Sequence, residues 1–123
     1  MTVLVESRHP AEFILSEANG QRSREAITLA SGAGVIAPGT VLGKVTATGK
    51  YLASAVGAAD GSETPAAIAI HGADATSADA TVSAILRDAE VNGNCLTYHA
   101  DRDQPAEKAA ANASLAALGV IVR

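Results

Sequence analysis

Apolar residues recur along this chain in short runs separated by glycine and small polar residues. From Gly39 to Ile70 the row reads GTVLGKVTATGKYLASAVGAADGSETPAAIAI, with Val41, Leu42, Val45, Tyr51, Leu52, Val56, Ile68 and Ile70 set between turn residues. That punctuation predicts a β-meander, with strands over 41–45, 51–55 and 66–70 and turns at 46–50 and at Asp60-Gly61. Residues 71–80 read as a small-residue loop. The stretch 81–91 reads as one long strand. Its alternation starts on Val82, Ala84 and Leu86 and then shifts to Ala89 and Val91, as a bulge or a strand buried on each face in turn would require. Asn92-Gly93 is a hairpin signal returning into a strand at Cys95–Tyr98.

One helix stands out after that. Asp103 or Gln104 caps it, Pro105 fits its first turn, and Gly119 stops it. Its body, AEKAAANASLAAL, is rich in the best helix former, and Ala111, Leu115 and Leu118 fall on one face. Val120-Ile121-Val122 follows as a terminal strand.

The first third is patterned differently. Val3-Leu4-Val5 is an apolar run followed by polar Glu6-Ser7-Arg8-His9, and Pro10 disfavours helix in the residue before it, so this reads as an extended arm. Phe13-Ile14-Leu15 and Ile27-Thr28-Leu29 are strand-like, joined by a polar stretch carrying the turn dipeptide Asn19-Gly20. Ser31-Gly32-Ala33-Gly34 is a flexible joint. The expected organisation is an arm and hairpin appendage over 1–34 and a core over 35–123, of β-rich α+β class.

Composition narrows the functional classes. With 123 residues there is room for one domain. Leu, Ile, Val and Phe make up about a fifth of the chain, near the level at which disorder sets in, but a net charge of −4 withholds the other half of that signature. A thin core of small side chains is expected, with oligomerisation as an extra source of stability. An acidic balance, scattered basic residues and the absence of Trp argue against nucleic acid. The single Cys95 excludes an intrachain disulfide and fits a reducing compartment. No run approaches the roughly 20 apolar residues of a transmembrane helix, and the N-terminus lacks a signal-peptide pattern, so a soluble protein made in a cytoplasm is expected.

No convergent chemistry emerges. His9, His71 and His99 are far apart, whereas metal ligands come in short-spaced pairs. His99, Asp101 and Asp103 in HADRD form the one cluster, readable as a cation site or as a solvated loop with helix-capping acids. Cys95 and His99 on one strand would lie about 13 Å apart at roughly 3.3 Å per residue, too far to act as nucleophile and base. Ser31–Gly34 lacks the Lys and the following helix of a phosphate loop, and Gln21–Arg24 is a small basic tip. The expectation is no enzyme, no metal and no cofactor. Val3-Leu4-Val5 reads differently: an apolar, β-branched terminal run suits a segment that adds as a strand to another protein.

Residues 35–123 resemble the head decoration proteins of tailed bacteriophages, the family of the lambda head protein D. The resemblance is carried by GTVLGKVTATGKYLASAVGAADGSETPAAIAIHGADAT and LAALGVIVR, with EFILSEANGQRSREAITLASG similar to the longer N-terminal version of prophage members. It implies a small β-barrel or β-clip-like fold with a short helix. It also implies a homotrimer seated on the outer surface of an expanded capsid, cementing major capsid proteins, with virion localisation and no membrane partner. The family's N-terminal arm pairs with capsid strands. Carried over, that arm is residues 1–16, and the capsid-binding candidates are Thr2, Val3, Leu4, Val5, Phe13, Ile14 and Leu15. A second reading is a β-clip-type binding or assembly module, since VIAPGTVLGKV also resembles the start of such modules.

Overall fold

The computed structural model describes residues 3–123, and the expectation placed on Thr2 lies outside them. Ten strands and one helix follow in chain order: β1 (Ile14–Glu17), β2 (Arg24–Leu29), β3 (Gly34–Ile36), β4 (Val41–Lys44), β5 (Tyr51–Ala53), β6 (Pro65–Ala69), β7 (Ala73–Ala75), β8 (Ala80–Ile85), β9 (Ala89–Val91), α1 (Pro105–Ala117) and β10 (Val120–Val122). Five of the strands close into a barrel in the order β2-β5-β4-β6-β8. A three-stranded sheet, β1-β9-β10, and a two-stranded ladder, β3-β7, complete the β structure.

The period of two along the barrel strands sorts side chains into two cores. Ile27 and Leu29 of β2, Leu42 of β4, Tyr51 of β5, Ala67 and Ala69 of β6 and Val82 and Ala84 of β8 form one cluster. Only the barrel interior is common to all five strands, so this cluster fills it. Five strands enclose little space, which is why alanine suffices at several positions. The alternate residues Val41, Ile68, Ile70 and Ile85 face the other way and meet Phe13, Val91, Leu115 and Val120. This second core lies between the barrel wall and the layer made by β9, β10 and α1.

The three strands expected for the meander are present as β4, β5 and β6, but not in meander order: β4 lies between β5 and β6, and β5 pairs in parallel with β2 instead of with β6. The long strand expected over 81–91 is instead two strands. After Ile85 the chain breaks at Leu86-Arg87-Asp88, where Asp88 takes φ 51°, and β9 joins the small sheet. The shift of hydrophobic phase therefore marks a change of sheet. The strand expected at Cys95–Tyr98 is also absent. A 3-10 turn over Gly93–Cys95 occupies its start, and a single bridge, Thr40 to Thr97, is what remains of the pairing. The loop expected at 71–80 contains β7, which pairs with β3.

The helix begins on Pro105, with Gln104 as its N-cap. It ends before Gly119, whose φ of +87° a side chain would oppose. Its buried residues are Ala111 and Leu115, whereas Leu118 lies past the last turn and is exposed. Among the described residues no helix is long and apolar enough to cross a membrane.

Residues 11–34 do not sit apart from the rest. β2 pairs with β8 over six consecutive residues and is a wall of the barrel. β1 pairs with β9. Asn19-Gly20 thus does not fold β1 back on β2. It carries the chain from one sheet to the other, alongside the same crossing made by β8 and β9. Ser23, fully buried at this crossing, donates to the Asp88 carbonyl at 2.8 Å and accepts from the Ala18 N–H at 3.0 Å. Residues 3–10 precede the first strand and belong to neither core.

Candidate functional site

The arm meets the body at a built junction. Ala11 takes φ 62°, and its N–H donates to the Ile70 carbonyl at 3.2 Å. Two residues later Phe13 is fully buried in the second core. On the outer side of the junction Arg8 donates to the Asn94 carbonyl at 2.9 Å, Arg8 lies 3.8 Å from Glu12, and His9 lies 3.0 Å from Glu6. A shallow groove between Ala37 and the segment Glu6–His9 follows from this arrangement. Beyond Glu6, Val5, Leu4 and Val3 are 88%, 90% and 79% exposed. Three consecutive apolar side chains stand in water without regular structure.

The structure divides the sequence candidates. Val3, Leu4 and Val5 are free along their length. Leu15, on β1, is 55% exposed and projects from the edge strand of the β1-β9-β10 sheet. Ile14 packs against the second core. Phe13 belongs to that core outright, because a ring of its size is the largest apolar area available to bury in a chain with three aromatics.

The polar candidates resolve into structural contacts. The basic tip is neutralised: Arg22 pairs with Asp88 at 2.9 Å and Arg24 with Glu17 at 2.6 Å. That hydrogen bond holds the Glu17 carboxyl below the usual carboxylate range. The N–H groups of the glycine-rich joint are occupied, Ser31 by Asp79 and Gly32 by the Ala75 carbonyl. Cys95 is half-buried against the second core, and no hydrogen bond joins it to His99 among the described residues.

HADRD carries the contacts that composition hid. Asp101 accepts from the N–H groups of Val56 and Gly57 at 3.0 and 3.2 Å and lies 2.9 Å from His99. The bond from the Val56 N–H leads in lowering its pKa. Arg102, only 5% exposed, is the one buried charged residue among those described. Its guanidinium donates to the Ser54 carbonyl and hydroxyl, the Glu63 carbonyl and the Glu107 carbonyl. One side chain thereby ties the β5–β6 loop to the start of α1. The sequence presents this pentapeptide as a cation site or a solvated loop with capping acids, and neither reading gives its arginine a role. An arginine flanked by turn residues carries no periodicity that announces burial.

Among the described residues no group of three or more His, Cys, Asp or Glu is placed to hold a metal ion. Among the described residues the large apolar side chains left exposed are Val3, Leu4 and Val5 of the arm, Leu15 on β1, and Val35, Val56, Leu118 and Ile121 elsewhere.

Comparison with known proteins returns one family. The model described as bacteriophage lambda head decoration protein D matches residues 3–120. No curated protein matches the chain.

Proposed function

The chain belongs to the bacteriophage lambda head decoration protein D family, and on that premise we propose that it binds as a trimer to the outer surface of an expanded phage head and stabilises the shell. The observation that carries the contact is the arm. Val3, Leu4 and Val5 are 79%, 90% and 88% exposed, while Ala11 and Phe13 anchor the following residues to the body. An extended apolar segment of this kind gains main-chain hydrogen bonds and side-chain burial by adding to an exposed sheet edge of the major capsid protein.

Fixing such a segment costs roughly 1–2 kcal/mol per residue. A single short arm returns a modest surplus. Three arms on one closed assembly act at high effective concentration, and threefold symmetry matches a threefold site on a shell. Leu15 extends the contact along the outer edge of β1. No catalytic step is assigned to the protein in this reading, and its product is mechanical: neighbouring capsid subunits held together. Its place is the virion, after synthesis in the host cytoplasm.

The test is co-sedimentation of the purified full chain with expanded and with unexpanded shells of its phage. Saturable binding to expanded shells, with a raised temperature of shell disruption, is expected. Equal binding to both shell forms, or binding that leaves disruption unchanged, contradicts the role.

A further inference from the structure

Asparagine followed by glycine occurs twice, at Asn19-Gly20 and Asn92-Gly93. In such a pair the glycine nitrogen attacks the preceding side-chain amide more readily than at other residues, because no side chain hinders the approach and the backbone reaches unusual angles. The two pairs sit in opposite environments.

Gly93 opens a 3-10 turn, and its N–H donates to the Arg123 carbonyl at 3.0 Å. The Asn92 Oδ1 accepts from the Asn94 N–H at 3.0 Å, and the Asn92 N–H donates to the Phe13 carbonyl at 2.7 Å. Nucleophile, electrophile and backbone are all held. Asn19 and Gly20 are both exposed at the tip of the β1–β2 crossing. Nothing lies within 4 Å of the position a Cβ would take on Gly20, whose φ is +71°. Neither residue enters a hydrogen bond among the described residues.

We propose that Asn19 is a site of spontaneous deamidation in the folded protein and that Asn92 is protected from it. The Gly20 nitrogen forms a bond to Asn19 Cγ as its proton passes to solvent base. The Cγ–Nδ2 bond breaks, and ammonia leaves with a proton from water, giving a succinimide. Water then opens the ring. Cleavage of the nitrogen bond to Cγ gives aspartate at 19, and cleavage of the bond to the former main-chain carbonyl carbon gives isoaspartate. Either product adds one negative charge to a chain already at −4. The isoaspartyl form also lengthens the main chain by one carbon within the loop that Ser23 closes on Ala18. The six-residue β2–β8 ladder starts beyond this loop and stays paired.

The experiment is incubation of the intact folded chain in mildly alkaline buffer, followed by tryptic mapping and enzymatic isoaspartate labelling. The peptide 9–22 contains Asn19 and the peptide 88–102 contains Asn92. Conversion at Asn19 should run roughly ten-fold or more faster than at Asn92, whose reaction must wait for local opening. In strong denaturant the two rates should converge, and Asn19→Gln should remove the 9–22 product. Equal rates in the folded protein, faster conversion at Asn92, or no conversion at Asn19 would each overturn the assignment.

Discussion

At the scale of single residues, the fold turns on contacts that small side chains alone do not supply. Arg102 is the leading case. Burying a guanidinium is tolerable because each of its nitrogens meets a carbonyl or hydroxyl oxygen, from Ser54, Glu63 and Glu107. Lysine keeps the charge but lacks the planar fork, and one ammonium does not span the same acceptors. Arg102→Lys is therefore expected to cost about 2–4 kcal/mol, from lost charge-assisted bonds and carbonyls left dry. Chemical denaturation of the variant checks this, and a change below about 0.5 kcal/mol would mean that water replaces the guanidinium. The sequence made neither Arg102 nor Ser23 legible. Both are polar residues in polar neighbourhoods, and their burial is decided by loops that meet across 40 or more positions of chain. Phe13 sent the opposite signal. It read as part of a contact arm because it follows one closely, yet the strand it introduces pairs at once with β9.

At the scale of elements, periodicity worked where one strand keeps to one environment. β4, β5, β6, β10 and α1 lie close to where their apolar spacing and turn residues put them. It failed where the chain changes sheet. Both crossings, 18–23 and 86–88, look local in the sequence: the first as a hairpin turn, because a dipeptide signal reports a turn and not which strand lies opposite, the second as a bulge or a strand buried on each face in turn, because a phase shift does not say that the sheet has changed. The consequence is testable. Since β2 walls the barrel and Phe13 fills the second core, residues 35–123 alone should fail to give cooperative unfolding, whereas residues 11–123 should unfold as the full chain does. Phe13→Ala should cost about 3–5 kcal/mol as a core truncation. Circular dichroism melts of the full chain, the two fragments and the Phe13→Ala variant decide the matter, and a cooperative 35–123 fragment would restore the boundary at the glycine joint.

At the scale of the whole molecule, two small cores and a closed barrel make one packed body that the exposed apolar arm precedes. The barrel hides its own strand edges, so the backbone left to pair with a partner lies at β1, at the short outer strands and in the arm. A trimer of such bodies should sediment at three times 12.3 kDa. A monomer at micromolar concentration and above would instead place trimerisation on the shell. The most direct measurement of the central claim is the affinity for expanded shells of the full chain against a chain lacking residues 1–10. Deletion should leave the unfolding temperature within a few degrees, because residues 3–10 lie outside both cores, and should abolish most of the binding. Full-strength binding by the shortened, folded protein would move the capsid contact to the barrel surface and contradict the account.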